Sequence, residues 1–292
     1  MPTTYDISLT ISYIYESPAA ASRTLLRMLP RTLPGQQLLY GVVTTDPAPS
    51  HRLDDVDFFG NVTTEVAHDM RLDEINFRFA GRVLRHPGVS GMDLSPPLAV
   101  LGRDLASVAS IAPDSPQHFL GASPRLPHEP EIAAFARDQV TPDMSAVAAV
   151  EHIGRVLHAA FEFDPEATEV TTTPIEAFRA RRGVCQDISH VTITALRALG
   201  VPAGYVSGFL RTIPPKGQER LEGADAMHAW VRAWCGVETG WIEVDPTNGI
   251  RAGTDHVTVA MGRDYSDVAP SKGSLRSQGT HKTTHKVDVL AV

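Results

Sequence analysis

The hydrophobic period of this chain changes once along its length. From Tyr5 to about Leu84 apolar residues alternate, Ile7, Leu9 and Ile11 sharing one parity, and turn signals such as Leu33-Pro34-Gly35 and Phe59-Gly60-Asn61 divide the runs. Alternation with period two makes half-buried strands. Beyond residue 130 the spacing becomes helical. After Thr141 and Pro142, expected at N-cap and N1, the residues Val147, Val150, Ile153, Leu157 and Phe161 fall on one helix face. Between the two patterns, residues 86 to 130 hold 8 of the 22 prolines, and proline interrupts both helix and strand. This organisation predicts a strand-rich domain over residues 1–85, a Pro-rich linker over 86–130 and a second domain over 131–292.

The second domain reads helices first and strands after, an α+β pattern. Thr173, Pro174 and Glu176 form a capping-box start signal, with Gly183 expected to end that short helix. Ile188, Thr192, Ala195, Leu196 and Leu199 then share a face of a helix stopped by Gly200 and Pro202. Cys185 is thereby placed at a helix N-terminus. Strand-like runs follow at 203–212, 226–234, 241–245, 257–261 and 286–292, with residues 266–284 expected as a polar loop.

With 292 residues the chain is long enough for about two cores. Its 26 Lys and Arg against 34 Asp and Glu give a formal charge of -8, which disfavours a nucleic-acid partner. The start lacks a basic segment followed by an apolar run, and no stretch of eighteen apolar residues occurs, so neither export nor membrane insertion is expected. Two cysteines are no disulfide framework, and a cytoplasmic setting is expected.

A thiol reacts as thiolate, and the unpaired N–H groups and positive dipole end of a helix favour that form. Cys185 has this placement. His228 lies in ADAMHAWVRAW and Asp245 in GWIEVDPTN, two strands joined by a turn over 235–240. If these strands pair, Asp245 can orient His228 while the second ring nitrogen faces Cys185, giving nucleophile, base and orienter. Trp230 and Trp241 are candidates for a substrate groove. Asp187 reads as a first-turn helix acid, and His190 as a structural residue about 140° round the helix from Cys185. Cys235 reads as a bystander, Arg263, Asp264 and Tyr265 as a solvated loop. No metal site is expected: His281 and His285 have no third ligand in sight.

Three blocks, RRGVCQDISHVTITALRALGVPAGYVSGFL, DAMHAWVRAW and GWIEVDPTNG, resemble in order and spacing the nucleophile, histidine and aspartate blocks of the transglutaminase-like superfamily of papain-like thiol enzymes. The segments YDISLTISYIYESP, LPRTLPGQQLLY and DDVDFFGN resemble the N-terminal β-sandwich of its bacterial branch, and VAMGRDYSDVAP its post-catalytic strand and loop. The resemblance implies a β-sandwich followed by a papain-like transglutaminase core, with Cys185 as nucleophile, His228 as general base then acid, and Asp245 as orienter. It implies thiol-dependent acyl transfer on a peptide or protein substrate, with peptide or isopeptide hydrolysis favoured. Protein-glutamine transamidation and a catalytically inactive binding module are the alternatives. The chain departs from the animal tissue-type enzymes, which carry a tryptophan before the cysteine, whereas Trp230, Trp234 and Trp241 all follow Cys185. No acidic loop of EF-hand type occurs, and no cofactor is expected.

Overall fold

The computed structural model describes residues 2–88, 91–212 and 225–292. Its strand-rich N-terminal region comprises β1 (Thr3–Leu26), β2 (Gln36–Asp46), β3 (His51–Val56), β4 (Val62–His68) and β5 (Leu72–Arg85). Alternation in β1 buries Tyr5, Ile7, Leu9 and Ile11 on one face. The expected β-sandwich takes the form of one sheet curled on itself through this long strand. The first half of β1 pairs with β5, and after a register shift between Ile14 and Ala19 its end pairs with β4.

The core follows as α1 (Leu98–Ser107), α2 (Pro130–Asp138), α3 (Ala146–Ala160), β6 (Glu162–Phe163), α4 (Pro174–Ala180), β7 (Arg182–Gly183) and α5 (Cys185–Ala198). A five-stranded antiparallel sheet is then built from β8 (Ala203–Leu210), β9 (Ala226–Trp234), β10 (Trp241–Asp245), β11 (Ile250–Arg251) and β12 (His256–Gly262), in the order β11-β10-β9-β8-β12. Helix α5 packs against β8, β9, α2, α3 and α4 and is buried from Gln186 to Leu196. Its buried Thr192 and Thr194 hydroxyls donate to carbonyls one turn back, at 2.7 and 2.9 Å, which satisfies them without a partner outside the helix. α3 starts later than the sequence signal at Thr141 suggests. Ser145 is its cap, accepting from Ala148 N, because Leu98 N and Ala99 N take the carbonyls of Met144 and Pro142.

Two findings change the expected organisation. Residues 266–284 are not a polar loop: they hold α6 (Tyr265–Val268), β13 (Ser271–Arg276) and the start of β14 (His281–Ala291). Both strands pair with β1, Leu9 facing Val287 and Leu25 facing Lys272, so the C-terminus completes the N-terminal sheet. The Pro-rich stretch is also more than a spacer, because α1 and a short turn at Pro116–Phe119 bury Leu101 and Phe119.

The core sheet meets the N-terminal region at β12. There the buried Gln36 amide donates to Thr258 O at 2.7 Å and accepts from Thr258 N at 2.8 Å, and Asn61 pairs with Met261 N and O, both at 2.8 Å. The two amides mimic a strand on an edge that would otherwise expose unpaired backbone groups.

Candidate active site

The turn that carries Cys185 is held from beneath. α4 ends at Ala180, and Arg181 takes a left-handed conformation at φ +55°, its guanidinium 3.9 Å from the Phe178 ring centroid. Gly183 therefore does not stop α4. It sits at φ +153°, where an added Cβ would lie 2.6 Å from Asp187 Oδ2. That oxygen accepts from Val184 N at 2.9 Å and Thr168 Oγ1 at 2.7 Å. Asp187 is thus part of the scaffold of the helix entrance, and burial raises its carboxyl pKa. The half-buried Cys185 is the first residue of α5, where backbone N–H groups lack helical acceptors.

β9 and β10 pair as an antiparallel hairpin with Val231 opposite Val244. His228 lies beyond the paired stretch, and its Nε2 reaches Asp245 Oδ2 at 2.8 Å. Cys185 stands near enough to act on the charge of the His228 ring, so the structure brings the three residues singled out from the sequence into one neighbourhood. Burial opposes a charged imidazole at His228. The hydrogen bonds and negative charges of Asp245 and Cys185 outweigh it and push the pKa up to about 9.

Asp245 is fully buried. Burial would raise its pKa, but hydrogen bonds from His228 and His256, the charge on His228 and a hydrogen bond from Asn248 hold it well below the usual carboxylate range. Oδ1 accepts from Thr247 N at 3.0 Å and Asn248 N at 3.2 Å, while Asn248 Nδ2 donates to Oδ2 at 2.7 Å. The carboxylate is locked by its own turn before it meets a histidine.

His256 is a participant that the sequence reading missed. Its Nδ1 accepts from Gly253 N at 3.1 Å, so Nε2 carries the hydrogen, and Nε2 lies 3.0 Å from Asp245 Oδ2. No local pattern marks it, since a single histidine opening a strand is unremarkable until β12 is placed. His256 thus holds Asp245 from the side opposite the backbone N–H groups of that carboxylate's own turn. His256→Ala is expected to lower turnover about tenfold, the equivalent of about 1.4 kcal/mol for a lost hydrogen bond to a charged group. His256→Gln should restore most of it, because the amide can donate from a similar place. Steady-state rates beside melting curves check this, and equal loss in both variants would reduce His256 to packing.

Nε2 of His228, Nε2 of His256 and a carboxylate oxygen of Asp245 lie within 4.8 Å of one another, a donor set of metal-ligating type. Asp245 Oδ2 already accepts from both rings, so a cation there would compete with the line to Cys185.

The two tryptophans separate. Trp230 is fully buried and does not wall an open groove. It stacks on His228 with ring centroids 6.1 Å apart and donates to Glu243 Oε2 at 2.7 Å, over Gly208, where a Cβ would fall 2.5 Å from the indole. Trp241 lines a cavity of about 630 Å³. His190 is buried and accepts from Tyr265 N at 3.2 Å, with burial driving its pKa down to about 3. Cys235 is fully buried, which pushes its thiol up to about 12. Asp264, expected on a solvated loop, is instead buried, accepting from Ser266 N and Arg125 N, both at 2.8 Å.

Residues 133–246 match the family model of the transglutaminase-like superfamily, and residues 5–84 match that of the bacterial transglutaminase-like N-terminal region. An uncharacterized protein of Mycobacterium leprae is 33% identical over 273 residues, 91% of each chain. A protein-glutamine gamma-glutamyltransferase of Pseudomonas aeruginosa is 35% identical over 89 residues, 30% of this chain and 13% of that protein. Among solved structures, "a Putative Cysteine Protease from Cytophaga hutchinsonii" superposes with a TM-score of 0.75 at 18% identity, covering 100% of this chain and 91% of that one. That likeness establishes the shared fold.

Proposed function

The chain belongs to the transglutaminase-like superfamily, and from that premise we propose that it is a thiol enzyme acting on amide bonds of peptides or proteins through a thioester at Cys185. The observation that carries this reading is the His228–Asp245 hydrogen bond at 2.8 Å with Cys185, at the tip of α5, beside the same imidazole. A sulfur facing an imidazolium is ready to attack as thiolate. The Cys185 sulfur attacks the amide carbonyl carbon, and the carbonyl oxygen takes the negative charge. Backbone N–H groups at the start of α5 stabilise that oxyanion. The C–N bond then breaks, the leaving nitrogen takes the proton from His228, and a thioester remains. An incoming water gives its proton to His228 as it attacks, and the acid leaves with the sulfur restored.

Hydrolysis is the favoured outcome, and an amine in place of water would give transamidation by the same steps. The named activity of the Pseudomonas aeruginosa relative supports keeping this second reading. The test is incubation with a peptide library with and without a primary amine, followed by acid quench and mass spectrometry. A peptide-mass adduct on Cys185 together with shortened peptides supports hydrolysis. Amine-extended peptides favour transamidation, and the absence of both an adduct on Cys185 and any changed peptide would overturn the reading.

The His228 proton also sets a pH dependence. Turnover is expected to fall as pH rises through about 9, where the leaving nitrogen loses its acid. Linkage runs the same way. The pKa is raised above the ordinary 6.5, so the stability it contributes is fully present below 6.5 and lost as pH rises through about 9. A pH–rate profile alongside melting curves from pH 6 to 10 checks both.

A further inference from the structure

The cavity beside Trp241 lies where the N-terminal region meets the core sheet, and three guanidinium groups from separate parts of the chain line it: Arg31, Arg85 and Arg232. Among the described residues, none of the three has a carboxylate within the 4.0 Å of an ion pair. Arg232 is only 8% exposed. Its Nη1 meets the weak acceptor Met261 Sδ at 3.1 Å, and its buried Nε has no partner. Arg85 donates to two carbonyls, Gly35 O and Gly253 O, yet its buried Nε is also unpartnered. Arg31 donates to Asn61 Oδ1 at 3.1 Å.

Leaving a buried guanidinium donor unmade is costly, and such groups are ordinarily paired. The compensation present is partial. Glu243 stands opposite Arg232 on the β9–β10 ladder, but its carboxylate already accepts the Trp230 indole. Asp114 also lines the cavity, and it is exposed to solvent. Arg31 also feels the charge of Asp57, which Arg27 pairs at 2.9 Å, so four guanidinium groups face three carboxylates and leave room for one negative charge. Arg232 is held flat for it, its guanidinium carbon 3.8 Å from the Trp241 ring centroid and 5.5 Å from that of Phe119. A planar, oriented guanidinium matches a carboxylate in both geometry and charge.

We propose that this cavity binds a carboxylate carried on an apolar body, the carboxylate seated against Arg232 with Arg85 and Arg31, the body against the aromatic wall. The ligand is either a free organic acid or the carboxylate of a peptide; the chemistry recognised is the same. The inference does not depend on the acyl-transfer reading, because it is tested by binding without turnover.

The experiment is calorimetric titration of the full chain, in buffer free of carboxylate and phosphate, with phenylacetate and with phenylacetamide. These probes share a body and differ in charge. A short peptide ending in phenylalanine is titrated in parallel, with its C-terminus free and amidated. Each charged probe that binds should do so at one site, at least tenfold more tightly than its neutral counterpart. Binding by the acid alone or by the peptide alone identifies the source. Arg232→Met should weaken binding at least tenfold. Glu243→Gln should strengthen it several-fold by removing a competing carboxylate, a gain that misfolding cannot imitate. Equal affinity for charged and neutral probes, no binding by either carboxylate, tighter binding of inorganic phosphate, or no gain in Glu243→Gln would each overturn the proposal.

Discussion

Cys185→Ala should leave the protein folded and remove acyl-enzyme formation altogether. Thiol for methyl at a half-buried position changes little volume, and the scaffold of the turn, Gly183 with Asp187, Thr168 and Val184, does not involve the sulfur. A melting temperature close to that of the parent is therefore expected. Catalysis is different, because the proposed reaction passes through a bond to that atom. The fall in kcat/KM should be on the order of 10⁵-fold or more, the scale seen when an activated nucleophile is removed from a working triad. His228→Ala should come close to this loss while retaining slow alkylation of Cys185, since the sulfur remains and its partner does not. Mass spectrometry after acid quench reads the thioester directly. Retained turnover in folded Cys185→Ala would remove Cys185 from the chemistry, and a rate unaffected by His228→Ala would remove the pair.

Asp245→Asn tests the other end of the line and should lower turnover by about 10³- to 10⁴-fold while the thiol still labels. The carboxylate accepts from His228, His256 and Asn248 on one side and from two backbone N–H groups on the other. An amide at this position replaces one acceptor oxygen by a donor, so one of those sets loses its partner. The cost in stability is about 1–3 kcal/mol for each buried donor left unmade. Rates must accordingly be compared on folded protein. The pH profile separates an orienting role from general damage. Without the charge and acceptor at Asp245, burial dominates at His228, and the alkaline limb expected near 9 should move down. Acid stability should change as well. Because the Asp245 pKa is depressed, its contribution is present above the ordinary carboxylate range and is lost as pH falls through the lowered value. The variant should lack that strong-acid transition. Full turnover with an unmoved alkaline limb would mean that another acceptor orients His228.

Local sequence chemistry determined a large share of this protein. Alternation at Ile7, Leu9 and Ile11 makes a strand with one buried face whatever lies beside it. The Thr173 capping box and the start of α5 at Cys185 are specified within a few residues, as is the hairpin that carries His228 and Asp245. Such signals are legible because their energetics are settled between neighbours in the chain.

The tertiary structure alone decided the rest. β13 and β14 join β1 across more than 240 residues, and nothing in a polar, weakly alternating segment announces which strand edge it will cover. His256 reaches Asp245 only because β12 is the far edge of the core sheet and opens beside that carboxylate. Trp230 could be read as a groove wall or as core, and its burial between His228, His256 and Glu243 settled that. The guanidinium-lined cavity gathers Arg31, Arg85 and Arg232 from the N-terminal region and the core. A side chain's periodicity tells which face it occupies, but its partner, its desolvation and hence its charge state depend on what packs against that face, and long-range pairing decides what does.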